Sequence, residues 1–347
     1  MVTFQAFFDS PAARYQPGDM VTGRVRLLLT HTVTLRGIEL MFRGHSSVHW
    51  MESKYETDEN NRSQSVNIPY TSEELHYHMK FFVFGDAYAG NILHAGEYNF
   101  NFTTQIPPNI PSSFEGEFGF IRHEMTILSY PTIGNTPTTY LLNVVNPLNL
   151  NNEPNIRSAV RVMDEKTLCC CCCASNPISC ALFLPASGFG IGQDIPMTVE
   201  VDNLSGKVVK GVSVTLQRVD TFTAVRPERG TRKKIHKLVV LQLESVPRRR
   251  SCTWERNISV PDGPPSGLKY CSIISSEYLI SMEVQLPAPH INMTINTPII
   301  VGNIPLVQPG PPLPCSLPPN SLIGNFNSSD PPPPPYPYPV PSAPIIP

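Results

Sequence analysis

Apolar and polar residues alternate in short runs along most of the chain, which predicts β-strands separated by turns. Alternation with a period of two directs one set of side chains to a buried face and the other to solvent. Clusters of Gly, Pro, Asn and Ser divide the runs, and no segment keeps a 3.6-residue period. The clearest runs are 21–30, 34–42, 198–203, 211–219 and 276–286. The predicted fold class is therefore all-β, built from sandwiches.

A shift of 174 residues aligns the chain with itself over two consecutive strands. Gly18 aligns with Gly192 and Gly37 with Gly211, so that the two glycines are 19 residues apart in both copies. Apolar positions in the strands around them also coincide. Glycine at a turn supplies a positive φ or a close backbone approach, and the alternating residues after it define one buried strand face. The alignment indicates two related halves, although a coincidence between two alternating strands is the alternative.

The strand pattern and the repeat together predict three parts. Two related β-sandwiches are expected over residues 1–155 and 156–306, joined near 148–155, where Asn and Pro suit a short linker. The third part, 307–347, is expected to be a disordered proline-rich tail. Many of the 38 prolines of the chain lie there, and such a segment cannot pack a core.

The two predicted sandwiches differ in charge, although the net charge of the whole chain is only −2. Residues 1–160 contain 10 Lys and Arg against 15 Asp and Glu, whereas residues 161–306 contain 16 against 12. An anionic partner is therefore expected at the second half. Nucleic acid is not a predicted partner, because the basic residues occupy one window without interleaved aromatic side chains.

Several segments resemble the α-arrestins, the arrestin-domain-containing proteins. They are YQPGDMVTGRVRL (15–27), RGIELMFRG (36–44), VHW (48–50) and HAGEYNFNFTTQIPPNIPSSFEGEFGFIRHEM (94–125) in the first half, and TLCCCCC…NPIS (167–179), the Gly192 turn and TPIIVGNIPL (297–306) in the second. The resemblance covers nearly the whole chain except the tail. It implies two arrestin-type sandwiches in tandem, no enzymatic activity and a role in membrane-protein trafficking. No cofactor is predicted.

Pro333, Pro334 and Tyr336 form a PPxY motif in the tail. Proline-rich segments populate the polyproline II helix without a core. WW domains bind such segments in an aromatic-lined groove that accepts the prolines and the tyrosine. After two arrestin-like domains, the motif predicts recruitment of a WW-domain HECT-type ubiquitin ligase. The alternative is a solvated linker.

A second tail motif follows, formed by Pro341, Ser342, Ala343 and Pro344. It matches the P-[S/T]-A-P pattern that a component of the endosomal-sorting complex binds, in which small side chains let an extended chain enter a narrow groove. The predicted function is a trafficking adaptor that links membrane-protein cargo to the ligase for ubiquitination, endocytosis and endosomal sorting. The alternative is a scaffold for plasma-membrane or endosomal vesicle budding through PSAP, with ubiquitin transfer secondary.

The predicted location is cytoplasmic, peripheral at the plasma membrane and endosomes. The first residues lack the basic and then apolar pattern of a secretory signal. An uncharged stretch, 167–193, is interrupted by Asn, Pro, Ser and Gly and is not expected to span a membrane. No hydrolase, P-loop or zincin pattern is present, so that catalysis is not predicted.

Nine basic residues crowd between positions 226 and 250, against only Glu228 and Glu244. They form a candidate anion or lipid patch: Arg226, Arg229, Arg232, Lys233, Lys234, Lys237, Arg248, Arg249 and Arg250. The run KIHKLVVLQL (234–243) is predicted to be a strand between two basic ends, consistent with a hairpin. Inositol-lipid headgroups and an acidic or phosphorylated cargo tail are both suitable targets, and a solvated hairpin is the alternative.

The chain contains five consecutive cysteines, which are expected to lie just before the first strand of the second sandwich. The candidate acylation residues are Cys169, Cys170, Cys171, Cys172 and Cys173. An extended run points successive side chains to opposite faces, which disfavours a zinc site made from these residues alone. Inert thiols, or a metal or redox partner, are the alternatives. His76 and His78 are expected to share one strand face, but no third ligand is apparent and no metal site is predicted.

Overall fold

A computed structural model describes residues 1–57, 63–86, 88–170 and 173–307. In these ranges the chain is mainly β-strand, with two short 3-10 turns at Pro11–Ala13 and Leu150–Asn152. None of the helices described there is long and apolar enough to cross a membrane. Residues 1–306 form one compact unit that contains two sandwiches. The predicted all-β fold class is confirmed.

The first sandwich comes from the N-terminal half of the chain. Its strands are β1 (Val2–Phe8), β2 (Arg14–Tyr15), β3 (Met20–Leu29), β4 (Val33–Leu35), β5 (Gly37–Thr57), β6 (Ser63–Gly85), β7 (Asn91–Leu93), β8 (Gly96–Gln105), β9 (Phe114–Gly116), β10 (Gly119–Tyr130) and β11 (Thr138–Val144). One sheet has the order β1-β3-β8, and the other has the order β2-β11-β10-β5-β6 with β9 beside β10. Phe4, Leu27, Phe42 and Met125 are among the side chains of its core.

The second sandwich follows the same plan. Its strands are β12 (Val160–Lys166), β13 (Cys169–Cys170), β14 (Cys173–Ala174), β15 (Ile178–Leu184), β16 (Gly188–Gly190), β17 (Asp194–Asn203), β18 (Gly211–Ala224), β19 (Gly230–Leu243), β20 (Arg250–Ser259), β21 (Ile274–Gln285) and β22 (Met293–Gly302). A sheet of order β12-β15-β17-β20 lies against a sheet of order β16-β22-β21-β18-β19. Val199, Leu216 and Ile280 belong to the core between them.

The residues aligned by the internal repeat occupy equivalent places in the two sandwiches. Gly18 and Gly192 have φ angles of +90° and +78°, and each lies in the turn before a long strand, β3 or β17. An added Cβ would meet nothing within 4 Å at either glycine, so the backbone angle and not the space explains the residue type. Tyr15 lies in β2, parallel to β11, and Phe189 lies in β16, parallel to β22. The repeat is therefore a real structural duplication.

Strands β5 and β6 form a hairpin far longer than a sandwich of this size needs. They contain 21 and 23 residues, against about 5 or 6 in an average strand. The part nearest Gly37 and Gly85 packs in the core of the first sandwich, whereas the distal part reaches the second sandwich. This extension creates a third apolar cluster, shared by both sandwiches.

Candidate functional site

Both tail motifs lie outside the described residues. This applies to Pro333, Pro334 and Tyr336 and to Pro341, Ser342, Ala343 and Pro344, as well as to Cys171 and Cys172. These assignments stay predictions from the sequence. The described residues show the basic segment and the backbone on either side of the cysteine run. They also show the interface between the two sandwiches, which we call the joint.

The structure divides the expected basic patch into two groups. Arg226 and Arg229 lie in the turn before β19, which pairs with β18, whereas Arg250 begins β20 in the opposite sheet. Lys237 is followed by six further residues of β19, or about 20 Å of strand at roughly 3.4 Å per residue. We call Arg226, Arg229, Arg232, Lys233, Lys234 and Lys237 the proximal group, and Arg248, Arg249 and Arg250 the distal group.

Two side chains of the proximal group help to join the sandwiches. The guanidinium carbon of Arg232 lies 4.6 Å from the centre of the Phe118 ring, and its Nη1 donates to the carbonyl oxygen of Met51 at 3.4 Å. Lys234 forms an ion pair with Glu117. Met51, Glu117 and Phe118 all belong to the first sandwich. These two cations therefore already have partners in the first sandwich.

A buried charged cluster lies beside them in the second sandwich. The Asp220 carboxylate is fully buried, and its Oδ2 accepts from Arg218 Nη2 at 3.0 Å. His236 Nε2 lies 2.9 Å from the same oxygen, and Ser276 Oγ donates to Oδ1 at 2.8 Å. All of these contacts come from one sheet. They compensate the buried carboxylate, which indicates a structural cluster.

The distal group lies at the same end of the second sandwich as the cysteine run. Across one sheet, Lys166 is opposite Ile178, Ile178 is opposite Asn203, and Asn203 is opposite Arg250. Three strand spacings of about 4.8 Å place Lys166 and Arg250 about 14 Å apart. The cysteine run begins shortly after Lys166, and its described backbone forms the β13–β14 hairpin. The run therefore follows the first strand of this sandwich, and the expectation that it precedes that strand is wrong.

Buried Asn203 fixes the loops at this distal end. Its Nδ2 donates to the carbonyl oxygens of Lys207, Val246 and Pro247 at 2.8, 3.2 and 3.0 Å. Loops 204–210 and 244–249 are thereby held side by side. Leu204 and Val208 are about half exposed in the first of them. Basic and apolar side chains thus share this end, as in proteins that contact a membrane surface.

Aromatic side chains form the centre of the joint between the sandwiches. Trp50 and Tyr70 from the β5–β6 hairpin stack with ring centres 5.4 Å apart. Phe222 of β18 packs against Phe118 at 5.6 Å and Phe114 at 6.4 Å, both from the first sandwich. Sequence reasoning missed this role, because Phe222 continues the alternation of β18 and looks like an ordinary residue of its own core. No local feature of the sequence distinguishes a residue of the joint from a residue in the core of its own sandwich.

Polar contacts surround the aromatic centre. Lys54 Nζ lies 2.5 Å from Glu228 Oε1, which also accepts from the Tyr70 hydroxyl at 2.7 Å. Elsewhere on the rim, Ser272 donates from its backbone N and its Oγ to Glu74 Oε2 at 2.8 and 3.0 Å. The Lys54 and Glu228 side chains are 45% and 61% exposed, and exposed ion pairs contribute little stability. The aromatic cluster therefore dominates the energy of the joint.

The two histidines expected to share a strand face point to opposite sides. The pairing of β5 with β6 shifts register at Gly44, which leaves His76 as an extra residue. His76 Nε2 lies 2.6 Å from the buried Ser46 Oγ, whereas His78 is exposed. In the described part of the chain no group of three or more His, Cys, Asp or Glu could hold a metal ion.

His123 is the most deeply buried histidine near this joint. Its Nε2 lies 3.0 Å from the Pro111 carbonyl oxygen, which can only accept, so that the ring proton lies on Nε2. The ring stacks on Tyr77 with centres 5.6 Å apart. Burial lowers the pKa of His123 to about 4, and it also lowers the pKa of His76, whose ring centre is 6.5 Å away. His123 is therefore neutral at physiological pH.

Acidification is expected to destabilise the first sandwich through His123. The ordinary pKa of 6.5 applies in the unfolded chain and about 4 in the folded chain, so the unfolded state binds more protons between these values. Protonation of His123 therefore leaves the free energy of unfolding unchanged above about pH 6.5. Below that pH the free energy of unfolding decreases as the pH falls towards 4, by about 2 kcal/mol at pH 5. Urea unfolding at neutral and acid pH measures this loss. His123→Gln should show a smaller loss than the exposed control His94→Gln, and equal losses would contradict the assignment.

Family models match both halves of the chain. The model described as "Arrestin (or S-antigen), N-terminal domain" matches residues 4–151, and the model described as "Arrestin (or S-antigen), C-terminal domain" matches residues 174–306. The two matches correspond to the two sandwiches, and together they cover most of the chain.

Curated relatives give the same result. The chain is 26% identical over 314 residues to Arrestin domain-containing protein 17 of Caenorhabditis elegans, which covers 87% of the chain and 70% of that protein. It is 26% identical to Arrestin domain-containing protein 1 of Mus musculus, covering 85% of the chain and 62% of the relative. For Arrestin domain-containing protein 1 of Homo sapiens the identity is 27%, covering 88% and 66%. The chain thus spans between three fifths and three quarters of the length of these relatives.

Proposed function

Because this chain belongs to the arrestin family and carries both arrestin domains, we propose that it links a membrane-protein cargo to a WW-domain HECT-type ubiquitin ligase. Arrestin-family proteins act as adaptors that bind cargo and other partners, which supports the general role. The ligase is the specific part of the proposal. The adaptor acts by proximity, because the tail brings the ligase to the cargo held by the sandwiches. A ligase with several WW domains gains affinity for the tail through effective concentration.

The observation that carries the proposal is the sequence Pro333-Pro334-Pro335-Tyr336 after two arrestin domains. The proposal is tested by affinity capture of the full chain beside its Tyr336→Ala variant, with the bound proteins compared by mass spectrometry. A HECT-type ligase captured only by the wild-type chain supports the proposal. Equal capture of such ligases by both chains, or none by either, would overturn it.

A second candidate function is a scaffold for vesicle budding, favoured by Pro341-Ser342-Ala343-Pro344 in the same tail. Deleting these four residues while keeping Tyr336 separates the two functions. If the sorting-complex component is the main partner, the deletion reduces vesicle release and leaves cargo ubiquitination unchanged. If the ligase is the main partner, the deletion leaves both vesicle release and cargo ubiquitination unchanged, whereas Tyr336→Ala reduces cargo ubiquitination.

The distal end of the second sandwich is the proposed membrane contact of this adaptor. The distal group, the half-exposed Leu204 and Val208 and the neighbouring cysteine run support this choice. Each basic side chain near an anionic surface contributes roughly 1 kcal/mol, and this attraction is screened by salt. An acyl chain on the cysteine run would supply the second signal that stable anchoring needs.

Reversing the distal charges is expected to weaken binding to anionic vesicles. For vesicles that contain phosphatidylserine and phosphoinositide, Arg248→Glu/Arg249→Glu should reduce binding at least tenfold at low salt, measured by co-sedimentation. The matched control Lys233→Glu/Lys237→Glu changes exposed charges of the proximal group and should bind as wild type does. Salt-insensitive binding, or equal losses in both variants, would contradict the assignment.

Acylation of the cysteine run is tested on the wild-type protein recovered from cells. Hydroxylamine, which cleaves thioesters, should release label that maps to the peptide containing residues 169–173. Recovery of all five cysteines without a thioester would remove acylation and leave the basic residues as the membrane contact.

A further inference from the structure

β19 is the last strand of a five-stranded sheet. The strand is 14 residues long and pairs with β18, and no named strand of the described chain pairs with its other side. Every second residue of such an edge strand directs its backbone N–H and C=O groups away from the sheet. Natural edge strands are mostly short, bent, covered or protected by charged side chains, lysine above all, because such groups pair readily with another chain. A long open edge is therefore a candidate binding surface.

A bulge limits the part of this edge that a partner can use. The pairing with β18 shifts register at Leu238, which has no partner residue in β18. A bulge bends the strand and interrupts its pairing. Beyond it, Val239 and Leu241 pack against the core of the second sandwich. The usable segment is therefore 230–237, about 24 Å long at roughly 3.4 Å per residue.

The exposed face of this segment carries two lysines around an isoleucine. Lys233, Ile235 and Lys237 alternate along β19 and all point to solvent, with Ile235 55% exposed. Neither lysine has an acidic partner among the described residues, and the sequence contains no Asp or Glu from 229 to 243. The other side of the strand differs, because Arg232 and Lys234 are engaged in the joint between the sandwiches.

We propose that segment 230–237 binds an extended acidic peptide of a partner protein, which adds to the sheet as a further strand. Residues directly opposite on neighbouring strands have Cβ atoms about 5 Å apart. A peptide with the pattern acidic-x-apolar-x-acidic would thus place its carboxylates near Lys233 and Lys237 and its apolar side chain against Ile235. Main-chain hydrogen bonds supply affinity and the alternate side chains supply selectivity. This inference rests on the proposed role of the sandwiches as the cargo-binding part of the adaptor.

The charge of this edge favours an acidic peptide over a second copy of the chain or a lipid surface. A second copy of the chain pairing edge to edge around a two-fold axis would bring lysines opposite lysines, which is unfavourable. A lipid surface would leave the backbone groups of the edge unused, and the distal group is the better lipid contact. An acidic strand satisfies both the backbone and the lysines.

The first test measures binding of a fluorescent peptide with two glutamates, a central valine and threonines between them. The full chain should bind it saturably at low salt, and Lys233→Glu/Lys237→Glu should weaken binding at least tenfold. A peptide with lysines in place of the glutamates should recover binding to that variant. The control Arg248→Glu/Arg249→Glu should stay within twofold of wild type. Thermal midpoints of all variants verify folding, and no saturable binding by the folded wild-type chain would overturn the proposal.

The second test needs no protein variant. Peptides N-methylated at alternate residues lose either the N–H groups that face the sheet or those that face solvent. Strand addition requires that one set loses binding and the other keeps it. Equal binding of both sets would show charge attraction without strand pairing and would overturn the proposal.

A variant of the tail distinguishes failure of this inference from failure of the proposed ligase recruitment. Tyr336→Ala should bind the acidic peptide as wild type does. If WW binding fails while the peptide still binds by strand addition, the ligase part alone is wrong. If the peptide fails while Tyr336-dependent WW binding persists, the inference about β19 is wrong and the adaptor proposal stands.

Discussion

Replacing Tyr336 with alanine is expected to weaken binding of a WW domain to the full chain by at least about 30-fold. The tyrosine ring is the anchor of the motif, and loss of such an anchor costs about 2 kcal/mol or more. The thermal midpoint should not change, because the buried residues of all three apolar clusters lie between Phe4 and Val301. Titration calorimetry with an isolated WW domain and a thermal scan of each variant measure both quantities.

The tail supplies a matched control for this experiment. Tyr338 is also flanked by prolines, but the residues before it do not form a PPxY motif. Tyr338→Ala removes an identical side chain two residues away and should bind the WW domain nearly as wild type does. Equal losses in the two variants would show a general need for aromatic residues and would contradict the motif. A lower midpoint in Tyr336→Ala would show that the tail stabilises the fold.

Phe222→Ala is expected to lower the free energy of unfolding by about 3–5 kcal/mol, the usual cost of removing a buried phenylalanine. Phe222 is fully buried and packs across the joint against Phe114 and Phe118. Its loss removes contacts of the second sandwich with the first, so we expect the sandwiches to unfold less cooperatively. Urea unfolding followed by tryptophan fluorescence measures both effects, because Trp50 lies in the joint and Trp254 lies in the second sandwich.

Two comparisons isolate the contact across the joint. Phe183→Ala on β15 removes the same side chain from a position that is 40% exposed, and it should cost much less. A double-mutant cycle of Phe222→Ala with Phe118→Ala should show a coupling energy beyond the additive limit of about 0.5 kcal/mol. A loss below 1 kcal/mol for Phe222→Ala, or strict additivity in the cycle, would contradict the structural role of this cluster.

Local patterns in the chain were sufficient to predict its fold class and its duplication. Strand alternation depends only on the period-two geometry of the backbone, and the turns at Gly18 and Gly192 depend on a backbone angle that glycine favours. The arrestin resemblance likewise rests on contiguous segments and is confirmed by the family matches. The tail motifs are also contiguous, because they are expected to act as extended chain, and they stay predictions.

Relations between distant residues could be known only from the folded chain. The nine basic residues between 226 and 250 are close in sequence, yet the chain crosses from one sheet to the other between β19 and β20, so these strands carry them to separate surfaces. The single-residue bulge beside Gly44 placed His76 and His78 on opposite faces, although one shared face was expected. Phe222 alternates like any core residue, and only the folded chain brings Phe114 and Phe118 of the first sandwich against it. Long-range packing decides such contacts, and no local period records it.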